Sequence, residues 1–253
     1  MARKKTFLVV FVVAAVLIAA VAGSVYNATQ HVPDFYTEAL YVEPTTAHET
    51  GEVLEEQVFA FSNQVKKPRT WSLRLTDRQI NSWLAADLKE KFPELLPEHI
   101  EDPRIAVKGK TLLVGCKYNG QSLNSILAVS LDCFLVEGEP NVVGVQLHNV
   151  TAGALPIPIG QLLSEIDTYA NKAEIPIRWQ QRDGDPVALI TIPSTGKEIE
   201  GEIRIDALEF KDGEILLSGE TIKTKEELKE KVVEGANQDA PEPSPLLEPP
   251  SES

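Results

Sequence analysis

Three apolar patterns follow one another along the chain, and each predicts a different kind of structure. Residues Thr6 to Gly23 form an uninterrupted apolar run. Between about residues 49 and 92, apolar side chains recur at helical spacing. From Arg104 onward apolar and polar residues alternate, as in an antiparallel sheet with one buried face. Together they predict a membrane helix followed by a domain of the α+β class.

The N-terminal run is long enough to cross a membrane, because about 18 apolar residues suffice for a spanning helix. Basic residues at positions 3 to 5 keep the N-terminus cytoplasmic, which places the remaining chain outside the cytoplasm. Ala20 to Ala22 also fit a signal-peptidase site, so secretion after cleavage near Ala22 is the alternative. The run is longer than the apolar core of most signal peptides, which favours a retained single-pass anchor.

The helical pattern predicts one helix from about Glu49 to Val65 and a second one starting at Thr76. Thr76 and Gln79 have the spacing of a capping box, which satisfies backbone donors at a helix start. An apolar stripe follows, formed by Ile80, Trp83, Leu84 and Leu88. Asp87 lies on the same stripe and leaves two interpretations open. Either the stripe meets solvent or a capping partner there, or a functional carboxylate is buried.

The alternating pattern predicts about eight antiparallel strands. They lie near residues 104–107, 111–118, 126–136, 142–152, 175–181, 187–192, 198–210 and 214–220. An amphipathic helix from about Ile159 to Ala173 interrupts them, and a charged helix is predicted at Lys225 to Glu234. The predicted organisation is an anchor (1–24), a polar stalk with short helices (25–70), an α+β domain (71–236) and a disordered tail rich in Pro, Glu and Ser (237–253).

Two cysteines lie on consecutive predicted strands. A loop centred near Gly120 and Gln121 would place Cys116 opposite a residue in the middle 120s, with Cys133 several residues further along. At about 3.3 Å per residue, this separation exceeds the roughly 7 Å Cα limit for a disulfide. We therefore expect two buried thiols.

Charge and motifs argue against several classes of function. The net charge is −14, and basic residues are dispersed, which disfavours nucleic acid as a partner. The four histidines, at positions 31, 48, 99 and 148, lack metal-ligand spacing, and His148 is expected to point outward from its strand. Neither a nucleophile elbow nor a phosphate-binding glycine loop is present. The sequence predicts no catalytic residue, metal site or cofactor.

The most distinctive remaining features of the sequence are its apolar segments. The helix with Trp83 and Leu84, the apolar face of the sheet and the helix after Leu155 to Pro158 could enclose a groove for a lipid-like ligand. The alternative is that these residues pack a dry core.

Two motifs carry a resemblance to a known family. Residues Leu75 to Leu84, LTDRQINSWL, are similar to the L-T-E-x-x-I/L-N-x-x-L helix start of bacterial proteins in the tubular lipid-binding (TULIP) superfamily. Residues Val150 to Pro158, VTAGALPIP, look like their strand ending in G-x-L-P-[IL]-P. Over about residues 70 to 222, the chain resembles YpmS-like anchored proteins and YceB-like lipoproteins.

This resemblance implies a strongly curved antiparallel sheet wrapped around a helix, and relatives that bind lipids or other hydrophobic molecules. It places Ile80, Trp83 and Leu84 inside the sheet. The complete set of candidate groove residues is Ile80, Trp83, Leu84, Leu88, Leu155, Ile157, Leu162, Leu163 and Ile166. The predicted function is non-catalytic binding of a lipid or other hydrophobic ligand by a membrane-anchored extracytoplasmic domain. The alternative is a ligand-free envelope scaffold or a protein-interaction module, whose partner the sequence does not specify.

Overall fold

The structure is a computed structural model that describes residue 20 and residues 23–43, 45–120, 124–172 and 174–223. The predicted membrane run, apart from residues 20 and 23, lies outside the described residues, as do the charged helix at 225–234 and the tail. Across the described ranges, no helix combines the length and the apolar character needed to span a bilayer.

Ten strands and five helices have defined bounds within this part of the chain. The strands are β1 (Arg69–Thr76), β2 (Ile100–Lys108), β3 (Thr111–Asn119), β4 (Asn124–Leu135), β5 (Val142–Ala152), β6 (Leu155–Pro156), β7 (Ile177–Arg182), β8 (Asp185–Thr191), β9 (Glu202–Lys211) and β10 (Glu214–Ile222). The helices are α1 (Asp34–Leu40), α2 (Ala47–Val65), α3 (Asp77–Ala86), α4 (Leu88–Lys91) and α5 (Ile159–Lys172). Residues 23–29 are also helical.

The strands form two open antiparallel sheets, which confirms the α+β class and the antiparallel pairing. One sheet has three strands in the order β1-β10-β9. The other has seven, in the order β2-β3-β4-β5-β8-β7 with β6 paired to β5. The alternating pattern had suggested one long sheet. Strand β1 was not among the predicted strands, because its pairing partner, β10, lies far along the chain; Trp71 pairs with Gly219.

The capping box forms as predicted and starts α3 directly at the end of β1. The Thr76 hydroxyl accepts a hydrogen bond from the backbone N–H of Gln79 at 3.1 Å, and the Gln79 side chain accepts one from the backbone N–H of Thr76 at 3.0 Å. The helices predicted near 49–65 and 159–173 are present as α2 and α5.

Helix α3 lies beside β2, the edge strand of the seven-stranded sheet. The Asn81 side chain donates to the carbonyl oxygen of Ile105 and accepts from its backbone N–H, both at 2.8 Å. The Val107 carbonyl accepts from Gly213 in the β9–β10 turn at 3.0 Å. These bonds satisfy the outer edge of β2 and join it to the three-stranded sheet. The helix is therefore at the edge of a sheet, whereas the resemblance implied a helix inside one.

Helices α1 and α2 occupy the segment that the sequence assigns to a stalk. Helix α1 packs mainly on β2, and Tyr36 is fully buried. Helix α2 packs on α3 and β1, where Phe61 makes an edge-to-face contact with Trp71 at 5.4 Å between ring centroids. Both helices thus belong to the folded part of the chain.

Candidate functional site

The seven-stranded sheet has two faces that differ in composition and burial. Side chains alternate along each strand, and residues paired across strands share a face. We call one side the covered face, defined by Ala128, Phe134, Val142, Val187 and Leu189. We call the other the open face, defined by Leu112, Val114, Cys116, Leu127, Val129, Leu131, Cys133, Leu135, Val143 and Val145.

The covered face contains a packed core around β5 and β8. Val142, Val187 and Leu189 are 3–5% exposed, and Phe134 packs against them. Gly144 lies directly beneath the Phe134 ring, where a Cβ would come within 2.6 Å of it. At the β2–β3 side, Tyr36 of α1 covers the same face. Its hydroxyl donates to the Asp102 carbonyl at 2.8 Å, and burial raises its pKa to about 12.

The open face is more apolar than the covered face, yet the ten residues that define it are only partly buried. Three further residues of the same face, Leu147, Ala152 and Ala188, are 2–4% exposed. The ten defining residues lie on three adjacent strands, so their side chains form one continuous surface. Leu131, at its centre, pairs with Leu112 on one side and with the buried Leu147 on the other. A sheet face with this composition is normally covered. Much of the open face therefore lacks close covering.

Helix α5 flanks the open face. Trp179 shares this face through its pairing with Ala188, which pairs with Val145. The Trp179 indole donates to the Asp167 carboxylate of α5 at 2.7 Å. The apolar stripe of α5 is itself only partly buried and includes Leu162, Leu163 and Ile166. Helix α5 is thus joined to the open face through the Trp179–Asp167 hydrogen bond.

Leu155 connects this region to the start of α5. It pairs with Ala152, which pairs with Leu127 of the open face. Leu155 and the nearby Ile157 are partly buried. Of the five predicted groove residues in this region, the strand pairing places Leu155 on the open face. Ile157 follows β6, and Leu162, Leu163 and Ile166 lie on α5.

The other four predicted groove residues lie on α3 and α4: Ile80, Trp83, Leu84 and Leu88. Trp83 donates its indole hydrogen to Glu55 of α2 at 2.7 Å, and Leu88 is 3% exposed. Gly51 allows this close helix contact, because a Cβ there would lie 3.3 Å from the Trp83 Cα. The structure thus places Trp83 at the α2–α3 contact and does not bring it to α5.

The Asp87 side chain is buried, so the apolar stripe does not meet solvent at this residue. Its side chain is 3% exposed and forms ion pairs with Lys91 at 3.1 Å and with His48 at 3.4 Å. Lys91 also contacts Glu55 at 2.6 Å, and this hydrogen bond, followed by the one from Trp83, holds the Glu55 pKa below its usual value. These contacts join α2 to α3 and α4, which is a structural role.

The two cysteines are free, as predicted, but each is only partly buried; both lie on the open face. Cys116 pairs with Leu127, slightly further along β4 than predicted, and Cys133 pairs with Val145. Burial raises the pKa of both thiols to about 11, with a smaller contribution from Asp132 at Cys133. Both are therefore protonated and uncharged at neutral pH, which makes them part of an apolar lining.

Polar groups cluster away from the open face. His148 lies on the opposite side of the sheet, 2.6 Å from Asp185 and 3.3 Å from Asp132, and is partly exposed. Elsewhere, a cavity of about 400 Å³ between α1, α3 and β2 contains the Lys108–Glu38 ion pair at 2.9 Å. Among the described residues, no group of three or more His, Cys, Asp or Glu side chains could hold a metal ion.

No protein-family model, curated protein or solved structure matches the chain. What the candidate site can bind is therefore inferred from its geometry. The open face offers apolar area and two protonated thiols. The sequence already contained the signal for its strand residues, since Leu127 to Leu135 alternate, but alternation does not tell which face a protein leaves uncovered.

Proposed function

We propose that this chain is a membrane-anchored protein whose extracytoplasmic domain binds a lipid or another hydrophobic ligand on the open face, without catalysis. One observation carries the proposal: the ten side chains that define the more apolar face of the sheet remain partly exposed. A ligand that covers it gains about 25 cal/mol for each Å² of apolar area removed from water. An acyl chain fits this demand, because it needs no polar partner.

Helix α5 supplies a second apolar wall for such a ligand. Leu162, Leu163 and Ile166 are partly buried, and the described residues show no extensive packing of α5 against any other helix or strand. A helix without extensive packing can shift to make room for a bound acyl chain. Leu155 and Ile157 extend the same apolar surface at one end.

The resemblance to TULIP proteins supports the same function and a finer description of the fold. In that family a curved antiparallel sheet forms the lipid-binding surface. Interruptions of the strand register at Glu101/Arg104, Ala128/Ser130 and Ser218/Gly219 are of the kind that increases sheet twist. The apolar run from Thr6 to Gly23 supports a retained anchor.

Photo-crosslinking tests the proposal directly. The full chain in lipid nanodiscs would be illuminated with a fatty acid carrying a diazirine near its methyl end, and labelled peptides identified by mass spectrometry. We expect labels on β3, β4, β5 and α5, in addition to the apolar run. A short, water-soluble diazirine serves as the control for general surface labelling.

Labels confined to the apolar run, or equal labelling of both sheet faces, would contradict the proposal. In that case the ligand-free scaffold or protein-interaction module becomes the better account.

A further inference from the structure

We infer that one end of the seven-stranded sheet lies against the bilayer surface, so that the open face reaches the membrane there. We call it the uncharged end, formed by residues 23–33, the start of β4 and the β5–β6 turn with the start of α5. The inference depends on the proposed anchor, and its connection to lipid binding rests on the proposed function.

The chain joins this end of the sheet covalently to the apolar run, and close contacts hold the two together. The helical residues 23–29 directly follow the apolar run and are fixed to the sheet. The Thr29 carbonyl accepts from the Ser125 hydroxyl at 2.7 Å, and the Ala28 carbonyl accepts from the Ala154 backbone at 2.8 Å. Gly153 permits this approach, because it has a φ of +60° and a Cβ there would lie 2.4 Å from the Ala28 oxygen.

These contacts restrict the movement of the sheet relative to a membrane-spanning run. Had residues 25–33 been a free linker, the domain could adopt any orientation above the bilayer. Because they are hydrogen-bonded to the β4 start and the β5–β6 turn, this end of the sheet is the closest to the anchor.

The distribution of charged residues independently favours the same orientation. Residues 23–33, 118–131 and 149–164 contain no Asp, Glu, Lys or Arg, although 25% of the chain is charged. These three stretches, separate in sequence, form a patch without formal charge at the β4–β5 part of this end, bordered by Glu101 and Asp102 of β2 and by Arg182 and Asp183 at the β7–β8 turn. Anionic headgroups repel an acidic protein least at such a patch.

The opposite end of the same strands is acidic. The β4–β5 hairpin carries Glu137 and Glu139, and its Asn141 is hydrogen-bonded to Ile203 and Ile205 of β9. Glu198 and Glu200 precede β9, which starts at Glu202, and ion pairs join Glu139 to Arg178 and Glu198 to Lys66. The two ends of β5 lie about 33 Å apart, at roughly 3.3 Å per residue. Repulsion from the bilayer therefore acts on the far end and favours one orientation.

Exposed apolar side chains at the uncharged end fit an interface with lipid headgroups. Val25, Tyr26 and Val32 are 47%, 69% and 41% exposed. Tyrosine is enriched at membrane interfaces because its ring is amphipathic. In this orientation β4 and β5 rise from the membrane, and Leu127 and Leu155 form the end of the open face where a lipid can enter without crossing water.

Fluorescence quenching tests the orientation in the full chain. Cys116 and Cys133 are replaced by alanine, and a fluorophore is attached through Ala154→Cys at the uncharged end or Glu137→Cys at the acidic end, both exposed positions. The nanodiscs contain phosphatidylcholine with a nitroxide on its headgroup. We expect loss of most of the emission at position 154 and little loss at position 137.

Equal quenching at the two positions, or stronger quenching at position 137, would overturn the inference. If Ala154→Cys fails to fold by circular dichroism, Val32→Cys reports on the same end. Selective quenching without acyl labels on β3 to β5 would keep the orientation and reject lipid binding. Acyl labels on the open face together with equal quenching would support lipid binding and reject the orientation.

Discussion

The two faces of the seven-stranded sheet are built from the same strands but are treated differently by the rest of the chain. The covered face has Val142, Val187 and Leu189 almost fully buried. Most of the apolar side chains on the open face are only partly buried. Hydrophobicity alone therefore does not determine which side of a sheet becomes core. The contrast is the main reason to assign the open face to a ligand.

The largest expected difference between the faces is in stability. Leu189→Ala removes a 3% exposed side chain from the core, and we expect a loss of about 2–5 kcal/mol in the free energy of unfolding. Leu131→Ala on the open face should cost only about 1–2 kcal/mol, because its side chain already contacts solvent in part. Urea denaturation of the ligand-free protein measures both. Equal costs would mean that both faces are packed cores.

A smaller effect is expected at the edge of the sheet. Asn81→Ala leaves the backbone N–H and carbonyl of Ile105 without their side-chain partners, and we expect a loss of about 2–3 kcal/mol. Hydrogen exchange at Ile105 should accelerate as well. Asn119→Ala, at an exposed position at the end of β3, is the matched control and should change neither quantity. An unchanged exchange rate at Ile105 would show that α3 does not seal this edge.

The thiols give the next test, through pH. The pKa of each is raised from 9.0 to about 11, so the folded protein holds these protons while the unfolded chain releases them near pH 9. Stability is thus complete below pH 9 and should fall as the pH rises to about 11. The variant Cys116→Ala/Cys133→Ala should show a shallower decline. An identical pH profile would mean that the thiols are not desolvated.

A kinetic effect of the same origin should also appear. At pH 8, alkylation of Cys133 should be slower than that of an unfolded peptide thiol, because the thiolate is the reactive form. A bound acyl chain should slow it further, whereas no change on adding lipid would argue against occupancy near Cys133.

Local signals in the sequence predicted much of the fold. The capping box at Thr76 and Gln79 and the spacing of α2 and α5 are short-range features, and the structure confirms them. The alternation from Leu127 to Leu135 correctly indicated strands with one apolar face. These signals depend on neighbours within one or two turns or along one strand.

Features that depend on distant partners could not be predicted in the same way. Strand β1 pairs with β10, and Trp71 is buried beside Gly219 and Thr221, which are remote in sequence. The helix stripe with Trp83 looked like a groove lining, but α2 meets it through Glu55. Burial of Asp87 likewise depends on α2, whose Gly51 leaves space beside the carboxylate.

The central claim is best tested with two tryptophan substitutions on neighbouring residues of β4. Val129→Trp fills the open face, whereas Ser130→Trp points to the other side of the sheet. Affinity for a fluorescent acyl probe would be measured for both variants and the parent chain in identical nanodiscs. We expect Val129→Trp to weaken saturable binding about tenfold, a change of about 1.4 kcal/mol, and Ser130→Trp to leave it unchanged. Equal affinities in all three proteins, or no saturable binding to the parent, would contradict a ligand site on the open face.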